Sequence, residues 1–105
     1  MSCGINSKKL KSELKKRVLY LLPELGFRNG KIRNDEVRFN TNGSLSISLS
    51  GSYAGLWRHF EYGIGGDVFD LIMWALGMSF IEAKHWAYMW LISEEVPKER
   101  LLHDY

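Results

Sequence analysis

The sequence has little cysteine, little proline and no long run of apolar residues. Its one cysteine, Cys3, excludes an internal disulfide and a metal site built from several cysteines. A single cysteine is typical of proteins from a reducing compartment, so we expect a cytoplasmic location. The apolar runs end well before the ~18–20 residues that a membrane-spanning helix needs. The opening segment, MSCGINSKK, contains no apolar signal-peptide core.

What the chain does contain is typical of one small folded domain. It has 105 residues, of which 46% are hydrophobic and 25% are charged. This is enough for a single core with little surplus stability. We expect the domain to cover residues 1–92 and residues 93–105, which include Pro97, to form a polar tail or linker.

The net charge of +2 conceals a gradient along the chain. Residues 1–33 contain nine Lys or Arg and two Glu, whereas residues 67–105 contain three basic and seven acidic residues. A basic first third on a nearly neutral chain indicates an anionic partner on one side. The alternative is a lysine-rich helix face that is merely solvated.

Apolar residues at helical spacing predict an N-terminal helix that is capped by Ser7 and ends near Pro23. Its buried side should consist of Leu10, Leu14, Val18, Leu21 and Leu22.

The middle of the chain predicts a small antiparallel sheet made of hairpins. Turn residues separate short strands around residues 31–33, 36–39, 45–50 and 56–62. In the last of these, LWRHFEY, the alternation of a strand puts Trp57 and His59 on one face and Arg58 and Phe60 on the other.

The last third predicts two helices, which makes the fold class α+β. One helix begins after Asp67, is apolar nearly all round and ends at Gly77. The motif Ser79-Phe80-Ile81-Glu82 has the form of a capping box, so a second helix should run from there to about Ile92.

The segment YGIGGDVFDLI, residues 62–72, has the form of a glycine-rich phosphate loop but not its chemistry. No Lys and Ser or Thr follow the glycines, and Asp67 would place a carboxylate where the anion binds. Asp67 and Asp70 are read as helix caps in preference to a metal-binding pair. His59, His85 and His103 lack ligand-like spacing. No catalytic arrangement is evident, so we do not expect an enzyme.

The segment GIGGDVFDLIMWALGMSFIEAKHWA, residues 63–87, resembles the N-terminal zinc-binding domain of bacterial-type DNA primases and of phage and plasmid primase-helicases. That family has Cys-Pro-Phe-His, a Ser-Phe strand, then Cys-Phe-x-Cys-Gly-x-Gly-Gly-Asp and a Ser-Phe-x-Glu-Ala helix. Some relatives in mobile-element replication proteins have Trp-x-x-Phe-x-x-Gly-x-Gly-Gly-Asp instead, and this form matches Trp57, Phe60 and the segment from Gly63 to Asp67.

All four positions of the family's zinc ligands are changed here, to Val37, Asn40, His59 and Tyr62. We therefore expect a zinc-less ribbon with no metal and no cofactor. A structural zinc contributes about 10–16 kcal/mol of apparent binding energy, which several buried side chains could replace. The candidates are Val37, Phe39, Leu45, Ile47, Leu49, Leu56, Phe60 and Tyr62.

The resemblance implies a template reader that touches single-stranded DNA and works with a polymerase, primase or helicase of the same element. Cations and aromatic residues near the sheet would permit this; they are Lys31, Arg33, Arg38, Trp57, Arg58, His59 and Tyr62. We favour Trp57 and His59 as the stacking side, the alternative being that Trp57 is core.

Trp74, Trp86 and Trp90 are expected to form a partner interface, unless the N-terminal helix covers the apolar helices. The competing function is a protein-interaction adaptor or inhibitor that keeps this fold without binding DNA.

Overall fold

In a computed structural model of the chain, residues 6–39 and 44–93 can be described. They form the predicted α+β fold, a five-stranded antiparallel sheet with four α-helices. In chain order the elements are α1 (Ser7–Lys15), α2 (Val18–Glu24), β1 (Lys31–Arg33), β2 (Glu36–Phe39), β3 (Leu45–Ser48), a short 3-10 helix (Gly51–Tyr53), β4 (Trp57–His59), β5 (Ile64–Gly66), α3 (Val68–Leu76) and α4 (Phe80–Ile92).

The N-terminal helix is two helices, not the single one predicted. The cap is Asn6 in place of the predicted Ser7, because the Asn6 side chain accepts a 2.7 Å hydrogen bond from the Lys9 N–H. The break falls at Arg17, whose backbone φ is −121° and whose guanidinium donates to the Glu13 carbonyl oxygen at 2.9 Å. All five residues predicted for the buried side are 0–2% exposed.

The sheet is a meander in which every strand pairs with its neighbour in the chain, in the order β1-β2-β3-β4-β5. β1 and β2 follow the prediction, and β3 ends two residues earlier than predicted, at Ser48. The fourth predicted strand is also shorter, since residues 60–63 form a turn. The segment Ile64–Gly66 was predicted as part of a glycine turn. It is instead the edge strand β5, which pairs with β4.

Gly65 explains why β5 is glycine-rich. A Cβ at this position would collide with the Trp57 carbonyl oxygen and lie 3.3 Å from the Cα of Arg58. The close approach of β5 to β4 therefore requires a residue without a side chain.

Both C-terminal helices begin with a capping box, which was predicted for α4, whereas for α3 only the cap by Asp67 was predicted. The Asp67 carboxylate accepts from the Asp70 N–H at 3.0 Å, and the Ser79 hydroxyl accepts from the Glu82 N–H at 3.2 Å. Gly77 ends α3 in the left-handed conformation, at φ 65°. The caps fix where each helix leaves the sheet.

The core lies between the inner face of the sheet and the helices. α1 packs against both α3 and α4, and the fully buried positions of α4 are two alanines, Ala83 and Ala87. Small side chains there allow the helices to approach closely. Within the described ranges, no helix is long and apolar enough to cross a bilayer. Cys3, Asn40, His103 and most of the predicted tail lie outside the described residues.

Candidate nucleic-acid interface

A row of basic residues crosses the outer face of the sheet. Lys31 is the direct cross-strand partner of Arg38, Arg38 of Ser46, Ser46 of Arg58 and Arg58 of Gly65. Direct partners in an antiparallel sheet share a face. We call Lys31, Arg38 and Arg58 the basic row. With strands ~4.8 Å apart, it extends over about 14 Å, and all three residues are exposed.

Arg38 is held in place by its neighbours. Its Nε lies 3.0 Å from a carboxylate oxygen of Glu36, while the Ser46 hydroxyl donates to the other oxygen at 2.6 Å. The Ser46 hydrogen bond and then the Arg38 hydrogen bond hold the pKa of Glu36 below its usual range. Glu36 therefore stays ionised at neutral pH and orients the guanidinium across the sheet.

Phe60 provides an aromatic ring on the same face. Its backbone N–H donates to the Ser44 carbonyl oxygen at 2.7 Å, which extends the β3–β4 pairing by one step, and its ring is 53% exposed. The Arg38 Cζ lies 5.2 Å from the centre of this ring, within cation–π range. Phe60 was not among the predicted binding residues, although the alternation in LWRHFEY had placed it with Arg58.

A shallow groove of about 340 Å³ lies beside the basic row and is lined by Ser46, Ser48, Leu56, Trp57, Arg58 and Gly66. Gly65 has no side chain to cover this part of the sheet. Arg33, two residues along β1 from Lys31 and opposite Glu36, shares the outer face and is exposed. The outer face therefore combines cations, hydroxyls and an exposed ring.

The prediction that Trp57 and His59 form the stacking side is wrong. Their side chains are 6% and 3% exposed, because alternation along β4 turns them towards the helices. The Trp57 indole N–H donates to the Asp67 carbonyl oxygen at 2.9 Å, which satisfies its polar atom within the core. The alternative, that Trp57 is core, is the one that the structure supports.

Tyr62 lies apart from the basic row. Its ring stacks on the buried His59 ring with centres 4.1 Å apart and planes 7° from parallel, and it is itself 66% exposed. The Tyr62 N–H also donates to the His59 Nδ1 at 3.3 Å. Tyr62 thus covers His59 at the rim of the core, on the helix side of the sheet.

Trp74 of α3 lies in an aromatic cluster that includes two positions of the family's zinc ligands, His59 and Tyr62. Its ring is 5.1 Å from Trp57, 5.6 Å from His59, 6.2 Å from Phe27 and 6.4 Å from Tyr62, measured between centres. Among the residues expected to replace a metal by packing, the structure buries Val37, Phe39, Leu45 and Ile47. It half-buries Leu49 and exposes Leu56, Phe60 and Tyr62.

The predicted partner interface is divided between two places. Trp74 packs against Trp57 and His59 of the sheet. Trp86 and Trp90 are half-buried on α4, where they stack on each other with ring centres 6.2 Å apart. α1 covers part of the apolar surface of α3 and α4. The large apolar side chains that α4 exposes are others, namely Phe80, Ile81, Met89 and Ile92 at 42–77% exposure.

The glycine-rich segment does not form a phosphate cradle. Asp67 occupies the N-terminus of α3, and the Lys11 ammonium lies 2.7 Å from its carboxylate. Burial opposes the charge of Asp67, but hydrogen bonds from Lys11 and the Asp70 N–H, with the Lys11 charge, hold its pKa below the usual range. Among the described residues, no three His, Cys, Asp or Glu side chains are grouped as metal ligands.

No known family model, curated protein or solved structure matches this chain. The case for a function therefore depends on the residues of the site.

Proposed function

We propose that this protein is a non-catalytic, cytoplasmic nucleic-acid-binding module that holds single-stranded DNA on the outer face of its sheet. The observation that supports this best is the alignment of Lys31, Arg38 and Arg58 in one row, with the exposed Phe60 ring beside Arg38. Single-strand binding needs cations along the backbone and rings on which bases stack. Both lie on one face here.

The role that we propose is accessory, within a DNA replication or priming machinery. The sequence resemblance to zinc-binding primase domains supports it, with the metal replaced by the packing around Trp74. The partner would be a polymerase, primase or helicase of the same mobile element, and that partner would perform the nucleotide chemistry.

Anisotropy of a fluorescent oligo(dT) of about twelve nucleotides tests the DNA-binding part of this proposal. Arg38→Gln, Arg58→Gln and Phe60→Ala should each weaken binding, whereas Lys84→Gln on α4 should not. If three to five phosphates are neutralised, log K should fall with log salt at a slope of roughly −2 to −3.5. No binding at low salt, or equal affinity for all four variants, would contradict the proposal.

A second candidate function, a protein-interaction adaptor or inhibitor, is favoured by the exposed apolar residues of α4. Ile81 is 77% exposed, Ile92 53% and Met89 48%. In this case Ile81→Lys would abolish binding to a co-expressed replication protein, and the Arg58→Gln protein would bind that protein normally.

A further inference from the structure

A second basic surface lies beside the end of the β3–β4 hairpin. α1 and the connection that follows β3 enclose a cleft of about 680 Å³, which we call the lysine cleft. Its polar lining consists of Lys8, Lys11, Ser12, Lys15, Lys16 and Ser50. Lys8, Lys11 and Lys15 recur at helical spacing, so they share one side of α1.

The lysine cleft has an excess of positive charge. Lys11 is paired with Asp67 at 2.7 Å and Lys16 with Glu13 at 3.4 Å. Within residues 6–39 and 44–93, Lys8 and Lys15 make no ion pair, and neither Asp nor Glu lines the cleft. The cleft therefore offers ammonium and hydroxyl groups, the donors that phosphate oxygens accept.

The lysine cleft and the outer face of the sheet share one connection. Leu49, Ser50, Gly51 and Ala54 line the cleft, while Ser48 and Leu56, at the two ends of the same segment, line the groove beside the basic row. The Ser48 N–H donates to the Leu56 carbonyl oxygen at 2.9 Å, which closes the segment. A ligand leaving the groove along the hairpin would thus reach the cleft.

An exposed aromatic residue lies on this connection. The Tyr53 side chain is 67% exposed. The Lys15 stem packs on the same connection at Gly55, since a Cβ placed there would be 3.4 Å from the Lys15 Cγ. An exposed ring on the connection that lines both surfaces is a suitable stacking platform for a base.

We infer that the lysine cleft is a second binding site for the phosphate backbone of the same single strand. The strand would run from the basic row, past Tyr53, into the cleft, where Lys8 and Lys15 contact its phosphates. This inference rests on the proposed function. It adds to that function the path of the bound strand over the protein and a minimum length for the strand.

Two oligo(dT) lengths test the inference. A strand of about four nucleotides is accommodated by the sheet face alone, whereas one of about twelve can also reach the cleft. The double variant Lys8→Gln/Lys15→Gln should bind the long strand roughly tenfold more weakly at about 50 mM salt and lower its salt slope by about 1.4. It should bind the short strand with unchanged affinity.

The matched control is Lys9→Gln/Lys84→Gln, which removes the same charge from positions outside the cleft and should leave both affinities unchanged. Tyr53→Ala should weaken only the long strand. If the cleft variant affects both lengths equally or neither, the inference is wrong while the proposed function stands. If the unaltered protein binds neither strand, the proposed function itself fails. A cleft that binds inorganic triphosphate, with no preference for long strands, would also overturn the inference.

Discussion

The indole N–H of Trp57 donates a 2.9 Å hydrogen bond to the backbone carbonyl oxygen of Asp67. This bond joins β4 to the N-cap of α3, because the same carbonyl also accepts the first helical hydrogen bond from the Leu71 N–H at 3.0 Å. Trp57 therefore fixes the angle at which the chain leaves the sheet, as well as filling the core.

Trp57→Phe should lower the free energy of unfolding by about 1–3 kcal/mol. It removes the hydrogen bond, at a net cost of about 0.5–1.5 kcal/mol, and some of the packing against Trp74. Urea unfolding followed by circular dichroism measures the change. The control is Trp90→Phe on the half-buried surface of α4, which should cost less. Equal losses for the two variants would show that the bond to Asp67 contributes nothing.

Asp67→Asn tests whether the charge of Asp67, at the N-cap of α3, makes the stability of the protein depend on pH. Asparagine is also a good N-cap, so the change removes mainly the charge. The pKa of Asp67 is lower in the folded protein than in the unfolded chain, where it is about 3.9. The ionised carboxylate therefore stabilises the fold above this value, and its contribution to stability is lost as the pH falls through the folded pKa. The variant should be less stable than the unaltered protein at pH 7, and the difference should shrink below about pH 4.

Thermal unfolding across this pH range, with Asp35→Asn as the control, measures that difference. Asp35 lies in the turn between β1 and β2, away from the ion pair. A stability difference for Asp67→Asn that stayed constant down to about pH 2 would contradict a stabilising role of the ionised Asp67 carboxylate.

Gly65→Ala should destabilise the protein more than Gly63→Ala. At Gly65 the new Cβ meets the backbone of β4, which cannot move aside as a side chain would. At Gly63 the surroundings are open, and the cost is that of a positive φ, 67° here, which is about 1–2 kcal/mol. Chemical denaturation ranks the two. The reverse order would mean that β5 does not pair with β4 as described.

Neither zinc nor a chelator should change the melting temperature. Val37 is apolar and buried, and the His59 Nδ1 already accepts the Tyr62 N–H at 3.3 Å while its ring is stacked. A site with one histidine does not hold structural zinc. Scanning fluorimetry with EDTA and then with ZnCl₂ provides the measurement. A fall in melting temperature with EDTA would contradict the zinc-less interpretation.

Glu36→Gln should raise the affinity for single-stranded DNA about two- to fivefold at low salt. The carboxylate contacts the basic row, at 3.0 Å from the Arg38 Nε. Removing its charge increases the attraction for phosphate, and the effect should fade as salt rises. Anisotropy titrations at two salt concentrations measure it, with Glu82→Gln on α4 as the control. A lower affinity for Glu36→Gln would mean that orienting Arg38 matters more than its neighbour's charge.

The fold was largely predictable because its signals are local. Capping motifs at Asp67 and Ser79, the left-handed stop at Gly77 and the period of the leucines in α1 and α2 each depend on residues close in sequence. The break at Arg17 and the strand β5 were missed. Both depend on contacts that the hydrophobic pattern of the sequence does not contain. These are the hydrogen bond from Arg17 to Glu13 and the close approach of Gly65 to Trp57.

The candidate site was predicted only in part, for a similar reason. Alternation correctly separated Trp57 and His59 from Arg58 and Phe60. Alternation alone does not say which face of the sheet packs against the helices. The register of the sheet decided this, since it placed Ile47 opposite Trp57 and Ser46 opposite Arg58. The serines of β3, spaced two apart, were the signal for the exposed face.

The meander has a consequence for how the chain folds. Because each strand pairs with the next one along the chain, the sheet can grow one hairpin at a time, and each step closes only a short loop. Local topologies of this kind fold quickly. The contact of α1 with α4 is different, since it joins segments from the two ends of the described chain. We therefore expect the sheet and α3 to form first and the docking of α1 to complete folding.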